Sequence, residues 1–291
     1  MPTSLDTLVK ETRRFIRDWP APVDALTASI TSSATTLTIS DTTQLQVNWP
    51  VEIDYETMLV RSISTSTTFT VMRGWAGSTS ASHASSATVL VKPAFSATEI
   101  IDALNAAKDE MYPMVYKRVI DTSLSASNMD VYEYNVPNMP GTYNGDTVPI
   151  PYIWLIEVLA PADYAYREWK AWYIRRGATP FIKFRRVPWV GSTIRVHGFG
   201  PFPDLSASAD TLDAQWPTNA VRPLVLCAAS RLLGSGEAGR TRQVSGAVDA
   251  REQANRPGNA ISLANQLERR FEKDLLRAAM PPMPPHIIPS F

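Results

Sequence analysis

Apolar positions near the start of the chain recur with a helical period. Leu5, Leu8, Val9, Thr12, Phe15 and Ile16 fall on one stripe of a helix predicted over 5–17. Thr3 with Asp6 reads as a capping box, and Pro20 and Pro22 end the helix. The period then changes abruptly. Of the 62 residues from 27 to 88, 26 are Ser or Thr, and the aliphatic residues among them fall in short runs at 36–39, 51–53, 57–60, 69–71 and 88–91. Runs of this length and spacing predict the strands of a compact barrel or sandwich. A low-complexity Ser/Thr stalk is the competing reading, and the strand-spaced aliphatics weigh against it.

At Ser96 the helical period returns. Ser96 with Glu99 gives a second capping box, and Ile100, Ile101, Leu104, Met111, Met114 and Val115 predict a helix over 97–118 that Pro113 kinks or ends. Residues 129–200 resume strand texture at 131–134, 154–158, 169–174, 181–184 and 193–196, separated by Pro- and Gly-rich loops such as 137–151. A third helix is predicted over 219–233, with Pro223 tolerated in its first turn and Gly234, Gly236 and Gly239 closing it. A fourth, over 260–279, aligns Leu263, Leu267, Phe271 and Leu275. The proline-rich end cannot continue it. The expected fold is α+β: a small helical bundle (1–22, 93–120 and 217–279) carrying two inserted antiparallel β regions. These are a Ser/Thr-rich small β-barrel or sandwich at 23–92 and a second sheet at 121–216, and 280–291 forms an extended C-terminal arm.

Charge and cysteine content narrow the classes. The 291 residues hold 28 Lys and Arg against 28 Asp and Glu, so no global field draws the protein to nucleic acid or to an anionic membrane. That excludes a generic basic binder and leaves room for a local basic stripe. A net charge near zero also removes the repulsion that keeps copies apart, so self-association is expected. The single Cys227 excludes an intramolecular disulfide and any zinc site built on several cysteines. It lies in an apolar run and reads as a small buried hydrophobe. No stretch approaches the roughly 18 apolar residues of a membrane helix, and the N-terminus has no hydrophobic signal core, so a soluble protein made in the cytoplasm is expected.

Candidate chemistry is sparse. Gly234-Ser235-Gly236-Glu237-Ala238-Gly239 matches the dinucleotide-binding glycine spacing, but it follows a predicted helix where that mechanism needs a strand before it and a helix after it. Glu52, Asp54 and Glu56 would project from one face of a strand, either as part of a cation site or as a solvated outer face. His83, His197 and His286 are far apart, with no nucleophile elbow or zinc-binding helix motif. Arg175, Arg176, Lys183, Arg185 and Arg186 interleave with Trp169, Trp172, Tyr173, Phe181 and Phe184. Such a mixture suits contact with phosphates and bases, or a sheet with one aromatic core face and one cationic outer face. No catalytic residue, metal or cofactor is expected.

One stretch carries a resemblance. Residues 54–60 (Asp-Tyr-Glu-Thr-Met-Leu-Val), then Thr70-Val71-Met72-Arg73-Gly74-Trp75-Ala76-Gly77-Ser78, then Ala81-Ser82-His83-Ala84 and Thr88-Val89 resemble a module of tailed-bacteriophage structural proteins. That module sets an acidic strand before an Arg-Gly-aromatic-x-Gly-Thr turn and an Ala/His loop; here Ser78 replaces Thr and Ser86-Ala87 replaces a frequent Gly. The layout of the remainder is similar to the head-to-tail adaptor, or connector, proteins of siphovirus-like phages. The resemblance implies a non-enzymatic virion neck protein that forms a ring, of twelve copies in that family, between the portal and the stopper or tail completion protein. It implies non-specific contact with the genome in the lumen and no membrane. In that setting Met283, Ile287, Ile288 and Phe291 are expected to anchor the arm on the portal or a neighbour, the alternative being an arm folded back on its own subunit. Arg269, Arg270, Lys273 and Arg277 are candidates to border the DNA channel, with i, i+4 surface pairing to Glu268, Glu272 and Asp274 as the competing reading. Another neck, tail or baseplate component, with the small β module binding host carbohydrate or a partner, is the alternative; an enzyme with an unrecognised site is a further rival.

Overall fold

The computed structural model describes residues 3–18, 20–126, 133–135, 152–161, 163–170, 172–175, 181–206, 210–240 and 259–280. Among the described residues it is mixed α and β, with four α-helices and antiparallel sheets, and the chain divides into two compact units. The first comprises Met1–Ala107, Asp204–Leu212 and Asn219–Arg277; the second comprises Lys108–Pro203, Asp213–Thr218 and Ala278–Phe291.

In the first unit the chain opens with α1 (Leu5–Ile16), which buries Leu5, Leu8, Val9, Thr12, Arg13 and Ile16. Its cap is Ser4, whose Oγ accepts from the Thr7 N–H at 3.3 Å, one residue later than the expected Thr3 box. Arg17, at φ 58°, closes the helix ahead of both prolines, and Pro22 lies in an edge strand, β1 (Ala21–Ala25), where no ladder donor is needed. Five more strands follow: β2 (Thr36–Thr38), β3 (Pro50–Ile53), β4 (Glu56–Ile63), β5 (Thr68–Met72) and β6 (Thr88–Val91). They form one antiparallel sheet in the order β1-β6-β3-β4-β5-β2. Bridging of Leu26 to Ile39, just beyond the two edge strands, curls this sheet into a half-barrel. Its interior is the aliphatic half of the Ser/Thr-rich texture: Leu37, Ile39, Val51, Ile53, Met58, Val60, Phe69, Val71, Val89 and Val91 pack as one cluster, while Thr36, Ser62, Ser64 and Ser66 are exposed and Thr42 and Thr57 are buried.

After the half-barrel comes α2 (Ala97–Met111). Its capping box forms as expected: the Ser96 N–H donates to Glu99 Oε2 at 2.7 Å and the Glu99 N–H donates to Ser96 Oγ at 3.2 Å. The helix stops at Met111, two residues before Pro113, not at 118, because a proline excludes helical geometry from the residue before it.

The second unit begins its strands with β7 (Lys117–Ser125), followed by β8 (Glu133–Asn135), β9 (Tyr152–Leu159), β10 (Arg167–Glu168), β11 (Trp172–Arg175), β12 (Phe181–Phe184) and β13 (Thr193–Gly200). Residues 117–120, expected in the helical part, are therefore strand. The order is β10-β9-β13-β7 in one antiparallel sheet and β11-β12-β8 in another. Ile153, Ile156, Ile194 and Val196 of the first share a buried cluster with Tyr134, Trp172, Ile182 and Phe184 of the second, so the two sheets pack face to face.

The first unit is completed by α3 (Val221–Arg240) and α4 (Asn259–Ala278). Pro223 sits in the first turn of α3, and Cys227 is buried at 2% exposure. Contrary to expectation, α3 does not close at Gly234 but continues through all three glycines. On α4, Ala264, Leu267, Phe271, Leu275 and Ala278 are buried on one face, and the Arg222 Nε to Asp274 Oδ2 pair at 3.3 Å ties its end to α3.

Candidate functional site

The residues that carry the resemblance converge on one buried ion cluster. The β3–β4 hairpin pairs Ile53 with Glu56, leaving Asp54 and Tyr55 as its two-residue loop, with Asp54 at φ 53°. This geometry overturns the expected row of three carboxylates on one face: Glu52 lies on β3, Asp54 in the turn and Glu56 on β4. Neither glutamate is a solvated outer group, since each is 2% exposed.

Glu56 is gripped from three sides. Its Oε1 accepts from Arg73 Nε at 2.7 Å and from the Gly74 N–H at 3.1 Å. Its Oε2 accepts from Arg73 Nη2 at 2.7 Å, the Ala81 N–H at 2.9 Å and His83 Nε2 at 3.0 Å. The other ring nitrogen of His83 lies 2.7 Å from Asp54 Oδ2. Arg73 spends its remaining hydrogens on the Thr31, Ala34 and Ala81 carbonyls, so all five guanidinium donors are used. Burial alone would raise the Glu56 carboxyl, but Arg73, the Ala81 N–H, His83 and the Gly74 N–H reverse this and hold it at about 2. With five donors on two oxygens, this carboxylate keeps no open direction for a metal or a reacting group.

The clamp's product is a fixed loop. Gly74 (φ 61°), Ala76 (φ 54°) and Gly77 (φ 79°) adopt left-handed backbone, and the Ser78 hydroxyl donates to the Thr57 carbonyl at 2.9 Å. A Cβ on Gly74 would meet the Ser78 carbonyl oxygen at 3.1 Å, so glycine is required there on two counts. Ala76 has no such licence, and its conformation costs about 1–2 kcal/mol. Held on this frame, Trp75 stays 39% exposed.

A second buried pair joins the half-barrel to the helices of the same unit. Arg13 Nη2 of α1 donates to Glu52 at 2.7 and 3.0 Å, and Glu52 also accepts the N–H of Ala97, the first residue of α2, at 2.8 Å. A carboxylate at a helix N-terminus is favoured by the exposed N–H groups there. Here, however, burial outweighs Arg13 and the Ala97 N–H, and the Glu52 carboxyl is pushed up.

The other sequence candidates are scattered. In the second unit, Trp172 and Phe184 face each other across β11 and β12 and are buried, while Lys183 pairs with Glu133 at 2.9 Å. The aromatic core face and cationic outer face are thus what the strands build. Trp169 donates to the Arg186 carbonyl at 3.1 Å and meets Trp189 edge-on at 5.6 Å, leaving Trp189 51% exposed beside Arg185 and Arg186. His197 lies 2.7 Å from Glu157, whose carboxylate also meets Arg195 at 3.5 Å. On α4, Arg269, Arg270, Lys273 and Arg277 are all exposed. Arg277 approaches Asp274 at 3.9 Å; the other three make no ion pair with a described residue, so pairing along the helix does not account for them. The glycine-rich candidate, lying inside α3, opens no helix and so cannot cradle a pyrophosphate. Met283, Ile287, Ile288, Phe291, His286 and Arg176 lie outside the described residues. Among the described residues there is no group of three potential metal ligands, and no helix is long and apolar enough to cross a membrane.

Comparison of the sequence with models of known protein families gives no match, and neither does comparison with curated proteins.

Proposed function

We propose that this chain is a structural component of a tailed-phage neck: a connector whose copies form a ring between portal and stopper or tail, with the genome passing through its lumen. One observation carries the reading. Glu56, Arg73, Gly74, Ala81 and His83, the residues on which the likeness to phage modules rests, occupy a single buried cluster, each with a specific partner. A resemblance whose residues interlock in three dimensions belongs to a folded module and not to a chance run. In this reading the four helices form the bundle that carries both β regions. Residues 280–291 are an extended arm, short of conformational entropy because of its prolines, whose Met283, Ile287, Ile288 and Phe291 anchor the portal or an adjacent subunit. The activity is assembly, with no catalytic step, and the place of action is the virion. Electron microscopy of the purified protein, alone and mixed with portal, tests this: closed rings of about twelve copies, stacked coaxially on portal, are expected from the family layout. A monomer that ignores portal overturns it.

Trp75 favours a second reading. A clamped, exposed tryptophan on a β module is the kind of platform on which sugar rings stack. Glycan binding by the full chain that disappears in Trp75→Ala, with no ring formed, would make this a host-recognition component of tail or baseplate.

A further inference from the structure

Two surfaces of the first unit are complementary in charge. Between α2 and α3 lies a shallow groove of about 330 Å³. Ala103, Ala106 and Leu232 make its apolar floor and Phe95 one wall, and the alanines allow a helix to approach closely. Glu99 and Asp102 stand on its rim against a single guanidinium, Arg231. Asp102 is exposed and has no partner among the described residues.

The outward face of α4 has the opposite character. Arg269, Lys273 and Leu276 stand at i, i+4 and i+7, on one stripe of the helix. Leu276 is 71% exposed, the most exposed aliphatic side chain among the described residues, and its two cationic neighbours on the stripe have no ion-pair partner there. Glu268 and Glu272 are also exposed on α4, but neither pairs with them.

We infer that the α2–α3 groove of one copy receives the α4 face of a second copy, with Leu276 over the alanine floor and Arg269 and Lys273 against the Glu99 and Asp102 rim. Because groove and face are different patches, the contact is head-to-tail, and each copy keeps one of each for the next. A contact of this type closes into a ring when its rotation divides a full turn. The inference rests on the ring reading above and supplies the surfaces that would build it. It assigns the α4 cations to the neighbouring subunit instead of to DNA.

Charge exchange in the full chain tests it by native mass spectrometry. Asp102→Lys puts like charges opposite each other, as does Arg269→Glu with Lys273→Glu, and each chain alone is expected to associate at least about tenfold more weakly. Mixing the two chains restores the oligomer, since each then offers what the other lacks; so does one chain carrying all three changes. This recovery also shows that the variants fold. Leu276→Asp is expected to dissociate the oligomer without rescue. Rings unchanged in both swapped chains overturn the inference while leaving the connector reading intact. Rings unchanged together with lost DNA binding in the α4 variant also overturn it and return the stripe to the DNA passage. A wild-type monomer removes both readings.

Discussion

Glu52 and Glu56 sit on the two strands of one hairpin, equally buried, and their surroundings act on them in opposite senses. Glu56 is held at about 2, below its ordinary 4.5, because five donors outweigh burial. A carboxyl depressed in the folded state contributes stability above its unfolded value, and that contribution is lost as pH falls from about 4.5 toward 2. The shift corresponds to roughly 3 kcal/mol. Glu52 is raised, so the sign reverses: its charged form burdens the fold at neutral pH, and the burden is relieved as pH falls through the raised value. Glu56→Gln is therefore expected to cost about 3–5 kcal/mol, since it strands the buried charge of Arg73 and sets an amide NH2 against donors that need an acceptor. Glu52→Gln is expected to cost less, about 1–2 kcal/mol, because burial already burdens the charged carboxylate there and offsets part of what Arg13 loses with it. Urea melts at pH 7 rank the two, and equal losses would contradict the assignment. Between pH 4.5 and 2 the wild type should lose stability that Glu56→Gln no longer has to lose. None of this was legible from the i, i+2, i+4 spacing, which holds only if the strand runs straight. Asp54 turns left-handed instead, and the chain reverses between the carboxylates.

At the scale of elements, the loop above Glu56 separates two kinds of left-handed residue. Ala76→Gly removes a Cβ penalty of about 1–2 kcal/mol and adds an entropic cost of about 0.5–1 kcal/mol, so it should leave the protein as stable or slightly more so. Gly74→Ala introduces the penalty and a contact at 3.1 Å with the Ser78 carbonyl oxygen, and should destabilise by about 1–3 kcal/mol. Thermal denaturation of the two variants gives opposite signs if the clamp, and not local preference, sets this backbone. Ser96→Ala, which removes the hydroxyl that accepts from the Glu99 N–H and donates to Glu99 Oε2 but keeps the Ser96 N–H bond to Glu99, should cost about 1 kcal/mol in the same assay. That box, the stripes of α1 and α4 and the short aliphatic runs of the half-barrel were legible because each is a local pattern with one solution. β7 was not. It is an edge strand whose apolar residues are only Val119, Ile120 and Leu124, with Ile120 60% exposed, too few to declare a period of two. The length of α3 was not legible either, since its glycines oppose helix locally and the helix continues nonetheless.

At the scale of the molecule, equal numbers of acidic and basic residues do not mean an even surface. Glu99 and Asp102 stand on the α2–α3 rim, while Arg269, Arg270 and Lys273 on α4 have no ion-pair partner among the described residues, so groups of opposite sign are set apart on the first unit. Patches of opposite sign on one chain favour ordered contact between copies and make it salt-sensitive, so assembly should weaken steadily as ionic strength rises. On the proposed connector reading, attachment to portal should respond differently. The anchors expected there, Met283, Ile287, Ile288 and Phe291, are apolar, and apolar contact is not weakened by salt. The last described backbone contact before them is the Met280 N–H to the Met114 carbonyl at 2.9 Å. Removal of 281–291 is therefore expected to leave ring formation intact and to abolish co-sedimentation with portal at every salt concentration. High salt should do the converse, dissolving rings while single copies still bind portal through the arm. If truncated rings still sediment with portal, the arm is not the anchor, and the portal contact must be sought on the charged faces instead.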